Sequence, residues 1–162
     1  MNRFIRCSAT PLLLVGGLIS GCHASEPQAK AGHAGHEVAV CDLVKQIRLI
    51  PFRPEQRGMD AAYDQLMAGK DYSLSAIADC VDDVRPMPDP RGIPARASNF
   101  VVGDAAFFVV MDRTGSDFSK FLPPEALKDE KTRGAYVYFD WVGRRGNREA
   151  LEKKVKVFTQ GK

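Results

Sequence analysis

The sequence predicts an all-α domain, and three observations carry that expectation. Apolar residues recur at i, i+3, i+4 and i+7 in several separate stretches, the spacing of one helix face. The stretches stop at glycine or proline, as at Gly69 and Pro51, where a helix is expected to end. The longest apolar runs are flanked by helical patterns rather than by hairpin turns. The expected arrangement is one compact domain of irregular helical hairpins over residues 37–162. The competing arrangement is α+β, with strands near 100–111 and 135–142.

Each element has its own justification. Val40, Val44 and Ile47 lie at helical spacing with Cys41 beside them, and Pro51 and Pro54 stop that helix. The intervening Ile50 to Pro54 is expected to be extended. Met59, Ala62, Tyr63 and Leu66 form the next face, closed by Gly69. Ser73 is placed to cap a helix over 74–82, where Leu74, Ile77, Ala78 and Val81 repeat the spacing. These two segments are expected to form a helical hairpin. Pro86, Pro88, Pro90 and Pro94, with Gly92, exclude regular helix from 84–99.

The stretch Phe100 to Met111 is the ambiguous one. Phe107-Phe108-Val109-Val110-Met111 is a continuous run rich in strand formers. Yet Val101, Ala105, Phe108 and Asp112 share one side at helical spacing, with Ser98 or Asn99 available as a cap and Gly115 as a stop. A buried helix is the expectation, a central strand the alternative. Pro123-Pro124 are expected to open a short helix with Glu125 and Leu127. Residues 135–142 hold Tyr138, Phe139, Trp141 and Val142, end at Gly143, and carry the same ambiguity. Asn147 is expected to cap a last helix with the apolar stripe Leu151, Val155 and Phe158. Its Lys153, Lys154 and Lys156 fall in the later half, where cations suit the helix dipole.

The amino terminus has a different character. Arg3 and Arg6 precede an apolar run, Leu12 to Ile19, too short to span a bilayer. Ile19-Ser20-Gly21-Cys22 then resembles the bacterial lipobox. The resemblance implies a signal peptide over 1–21, cleavage before Cys22, and lipidation of the Cys22 sulfur with attachment to a bilayer. The residue after the cysteine is His23 rather than aspartate, which favours the outer membrane on the periplasmic side. Residues 22–36 carry no large apolar side chain and are expected to be a lipidated flexible tether. All three histidines, His23, His33 and His36, lie there without a cysteine or carboxylate cluster, so no metal or other cofactor is expected.

The full chain has 162 residues with 23 Lys+Arg against 20 Asp+Glu. Loss of Arg3 and Arg6 with the signal peptide leaves 21 basic residues and a net charge of +1. Such a balance gives no reason to expect nucleic acid or an anionic membrane surface as a partner. Of four cysteines, Cys7 leaves with the signal peptide and Cys22 takes the lipid, so Cys41 and Cys80 remain. In an oxidising compartment that pair is expected to form a disulfide; two buried free thiols are the alternative.

Ala62 to Gly69 followed by Leu74 to Asp83 resembles one HEAT-type repeat: a helix, a turn, and a second helix ending in acidic residues. Val102-Gly103-Asp104-Ala105-Ala106-Phe107-Phe108 is similar to the start of a repeat helix. The resemblance implies a scaffold with a binding surface rather than an enzyme. The residues themselves agree with that implication. The domain over 37–162 has no histidine, which removes Ser-His-Asp and Cys-His catalysis. It has no glycine-rich phosphate loop. Carboxylates Asp79, Asp82 and Asp83 leave a general acid–base hydrolase of wall glycans as the remaining catalytic option.

The expected function is therefore non-catalytic: a membrane-anchored periplasmic binding lipoprotein that captures a periplasmic protein, as an immunity protein against a delivered toxin would. The alternative is a structural or assembly accessory of the envelope. Asp82, Asp83, Arg85, Asp89, Arg91 and Trp141 are the candidate binding surface, with Trp141 equally suited to the core.

Overall fold

A computed structural model describes residues 39–51, 53–91 and 99–162. The expected signal peptide, Cys22 and the tether with its histidines lie outside the described residues, as do Phe52, Gly92, Pro94 and Ser98. Among the described residues the chain is helical and forms no strand. Helices α1 (39–45), α2 (Ala61–Ala68), α3 (Leu74–Ala78) and α4 (Val102–Thr114) come first. They are followed by α5 (Glu130–Arg133), α6 (Tyr136–Val142) and α7 (Asn147–Gln160), with 3-10 turns at Pro54–Gln56 and Phe118–Phe121. An isolated antiparallel bridge joins Pro86 to Val101. Both ambiguous stretches, 100–111 and 135–142, are helical from Val102 and Tyr136 onward.

Helix α4 is the axis of the domain. Val102, Ala105, Ala106, Phe107, Val109, Val110 and Met111 are all buried. A helix surrounded by protein needs no polar face, so its sequence loses the helical period and resembles a strand. Helices α2 and α3 both pack on α4, and α3 also packs on α7, which α6 contacts in turn. The α2–α3 hairpin is thus held through α4 more than through contact between its own two helices.

Local chemistry sets the helix ends. The Asp60 side chain accepts the Tyr63 N–H at 2.8 Å and caps α2. Its other oxygen accepts the N–H groups of Arg48 and Leu49 at 2.6 and 2.9 Å. One buried carboxylate therefore starts α2 and ties down the chain leaving α1. Ser73 caps α3 as expected, but α3 ends at Ala78 and residues 79–82 turn. The cap of α4 is neither Ser98 nor Asn99; Val101 holds that position, and Asp104 reaches back to accept its N–H at 3.0 Å. Gly115 ends α4 at φ 60°, a conformation glycine adopts without strain. Pro123-Pro124 open turns rather than a helix, which begins only at Glu130. Gly146, not Asn147, is the N-cap of α7, and the Asn147 amide donates to the Trp141 carbonyl instead.

Cys41 and Cys80 are bonded, with sulfurs 2.03 Å and Cα atoms 5.4 Å apart. The bond joins α1 to the turn after α3. The proline-rich segment runs beside both: the Ile50 N–H donates to the Pro90 carbonyl, and the Met87 N–H to the Phe100 carbonyl.

Candidate functional site

The six residues singled out from the sequence fall into different environments. Asp83 and Arg85 form an ion pair at 2.7 Å, and Arg85 also reaches Asp42 on α1 at 2.6 Å. The Asp83 carbonyl accepts the Gly103 N–H, so this pair sits where the turn after α3 meets the start of α4. Arg85 is about 40% exposed in its side chain, and its two carboxylate partners raise its pKa further. Asp82 is exposed. Partial desolvation and then the nearby Glu152 charge raise its carboxyl above the ordinary value, while Lys156 pulls it down.

Asp89 and Arg91 are interior. Their side chains are 6% and 5% exposed and pair at 2.6 Å. The guanidinium donates to both Asp89 oxygens, and its plane lies over Phe139 at 4.3 Å, with Phe100 and Phe108 at 5.3 and 5.5 Å. A planar, weakly hydrated cation suits such a wall of rings. Trp141 is 8% exposed and belongs to the core. Asp89, Arg91 and Trp141 thus hold the fold together in this conformation, and Asp82 and Arg85 are the members that face solvent.

A second buried polar group was not singled out. Asp104, within α4, accepts the Tyr138 hydroxyl at 2.8 Å and an Arg148 N–H at 2.8 Å. Arg148 also donates to the Val81 carbonyl. Among the described residues every buried side-chain nitrogen and oxygen has a hydrogen-bond partner, and no group of three metal-ligating side chains occurs. No described helix is long and apolar enough to cross a membrane.

Two concavities remain. One, of about 430 Å³, is lined by Pro51, Arg57, Tyr63, Asp64, Met67 and Asp112. Here the Tyr63 hydroxyl donates to Asp112 at 2.8 Å. Desolvation raises the Asp112 carboxyl, the tyrosine bond partly offsetting it. The position of Asp112 on the same helical side as Val101 and Phe108 was the available signal. The Asp112 oxygen is engaged by a tyrosine that burial and Asp112 itself keep protonated, an arrangement that holds α2 to α4.

The other is a shallow groove of about 480 Å³ between the Phe118–Phe121 turn and α7. Phe121, Val157 and Phe158 make its floor, and Lys120, Lys153 and Lys154 its rim. Val157 is 71% exposed. Phe158 stands edge-on to Phe121 at 5.3 Å, and Phe121 is edge-on to Phe107 in α4 at 5.6 Å, so the floor continues into the core. Lys154 donates to the Phe121 carbonyl. The ammonium groups of Lys120 and Lys162 lie 5.3 and 5.5 Å from the Phe158 ring. Among the described residues Lys120, Lys153 and Lys162 form no ion pair. The sequence had offered Phe158 only as part of a core stripe and the lysines only as dipole partners.

No protein-family model matches the chain, and no curated protein or solved structure matches it.

Proposed function

We propose that this is a non-catalytic, lipid-anchored binding protein on the periplasmic side of a bacterial membrane. Its domain captures a soluble periplasmic protein, in the manner of an immunity protein that blocks a delivered toxin. The single observation that carries the reading is the α7 groove. It combines an exposed apolar floor with cations that have no acidic partner among the described residues. The polar groups elsewhere are engaged with one another: Asp83 with Arg85, Asp89 with Arg91, Asp104 with Arg148 and Tyr138. Paired groups stabilise a scaffold; an unpaired cation beside apolar surface is available to a partner.

The test is cross-linking in intact cells followed by affinity capture of the lipoprotein from the envelope. The expected result is one soluble protein recovered at near-equal stoichiometry, stable to washing. Recovery of abundant envelope proteins alone, or co-sedimentation with purified peptidoglycan, would instead favour an assembly accessory and refute capture.

A further inference from the structure

We infer that the α7 groove takes an acidic protein segment carrying a large apolar side chain: the apolar group enters between Phe121, Val157 and Phe158, and carboxylates meet Lys120 and Lys153. The inference rests on the binding reading above and names the chemistry of the partner.

The argument begins with what lines the groove. Its six lining residues are three lysines and three apolar residues, with no acid among them. The acids near α7 are engaged on its other side: Glu152 and Asp79 both pair with Lys156, at 2.5 and 2.8 Å. The sign of the rim is therefore unopposed, although the whole mature chain is near neutral. A rim of one sign selects a partner of the other and repels a basic one.

The floor selects further. Phe121 is buried and braced by Phe107, so it cannot swing aside, whereas Val157 is open to solvent. A rigid apolar floor with an open edge fits an inserted side chain, the geometry in which a few anchors supply most of the binding energy. The surface is concave, which disfavours a flat bilayer as its occupant even though the anchor places the domain near one. Phe158 carries Lys120 and Lys162 over its ring. Carboxylates arriving at those cations would retain the cation–ring contact rather than displace it.

The experiment places the photo-crosslinking residue p-benzoylphenylalanine at Val157 in the full-length lipoprotein, with Met59, exposed and outside the groove, as control site. Cells are irradiated and adducts mapped by mass spectrometry. The expected adduct is Val157-specific and maps to a segment with Asp or Glu flanking a Leu, Ile, Met or aromatic residue. Introducing Lys120→Glu and Lys153→Glu together should lower its yield at least about fivefold, with an unchanged melting temperature because both side chains are exposed and unpaired. A neutral or basic mapped segment, a lipid adduct, undiminished yield in the charge-reversed protein, or no Val157-specific adduct would each overturn the inference. Vesicles of phosphatidylglycerol provide a separate arm: flotation that depends on the same two lysines would give the groove to the bilayer and also overturn it. A stoichiometric partner captured equally by the charge-reversed protein would leave the binding reading standing while this inference falls.

Discussion

The Tyr138 hydroxyl donates to Asp104 at 2.8 Å, and neither side chain reaches solvent. Asp104 belongs to α4 and Tyr138 to α6, and Arg148 of α7 completes the group from the other side at 2.8 Å. Three helices thus converge on one carboxylate. Its second oxygen accepts the Val101 N–H at the start of α4.

Asp104→Ala should therefore destabilise the domain by about 3–5 kcal/mol, because it strands a largely buried guanidinium and a phenol together. Tyr138→Phe removes one bond and should cost about 1–2 kcal/mol. Burial first, and the Asp104 charge second, hold the Tyr138 hydroxyl well above its ordinary value. Above about pH 10 the unfolded chain releases that proton while the folded chain keeps it. Stability is accordingly full below that pH and falls as pH rises toward the folded value. Urea melts at pH 7, 9 and 11 test both points. The Phe variant should lose less stability between pH 9 and 11 than the wild type; equal loss would sink the assignment.

Gly103 lies where α4 meets the turn after α3. A Cβ there would sit 2.2 Å from the Val81 carbonyl oxygen and 2.8 Å from Arg148 Nη1. Backbone cannot yield as a flexible side chain can, so Gly103→Ala should cost about 3 kcal/mol despite the better helix propensity of alanine. The Gly103 N–H bond to the Asp83 carbonyl, 2.8 Å, would lengthen with it. A variant as stable as wild type in urea would show that the two elements separate freely.

These two sites mark the limit of what sequence carries. The local signals were legible: Ser73, Gly69 and Gly115 end or start helices where their chemistry requires it. The all-α class was legible from spacing even where α4 had lost its period through burial on nearly all sides. The Asp104 group was not, because its members are 34 and 44 residues apart and no spacing rule joins them. The groove was hidden for a similar reason. Its cations come from a turn and a helix that only the packing of Phe121 on Phe158 brings together. Asp89 and Arg91 were visible as charges, but their burial beneath Phe139 was not.

That buried pair gives the third prediction. Asp89→Ala should cost about 3–5 kcal/mol, since it leaves the Arg91 charge unpaired among rings. The double variant Asp89→Ala with Arg91→Met removes both charges and should recover a large part of that loss. Urea denaturation of both single variants and the double variant completes the cycle. Additive losses would mean that the two side chains do not act as a pair.

The Cys41–Cys80 bond closes a separation of 39 residues. In the chain-entropy model such a loop contributes about 4 kcal/mol, or roughly 10 °C or more in melting temperature for a domain of this size. Calorimetry with and without reductant, and of Cys41→Ala with Cys80→Ala, should show that drop with the helical spectrum retained below the transition. A shift under about 2 °C would mean that the unreduced chain is already constrained by other contacts.

The last prediction concerns attachment. Cys22→Ala should move the protein from the membrane fraction to the soluble fraction, and only the wild type should incorporate labelled fatty acid. Among the described residues no helix offers a membrane span. The remaining apolar surface at Val157 and Phe158 is small and rimmed by lysines. Each buried acyl methylene stabilises anchoring by about 0.8 kcal/mol, and stable anchoring takes more than one signal. A few exposed side chains cannot match that, so loss of the sulfur should release the domain. Fractionation of cells expressing either form, with salt washes to remove loosely held protein, separates the outcomes. Equal membrane retention of the variant through high salt, with no label in the wild type, would refute lipidation at Cys22. Retention of the variant that salt abolishes would instead point to the lysine rim of α7 as the attachment.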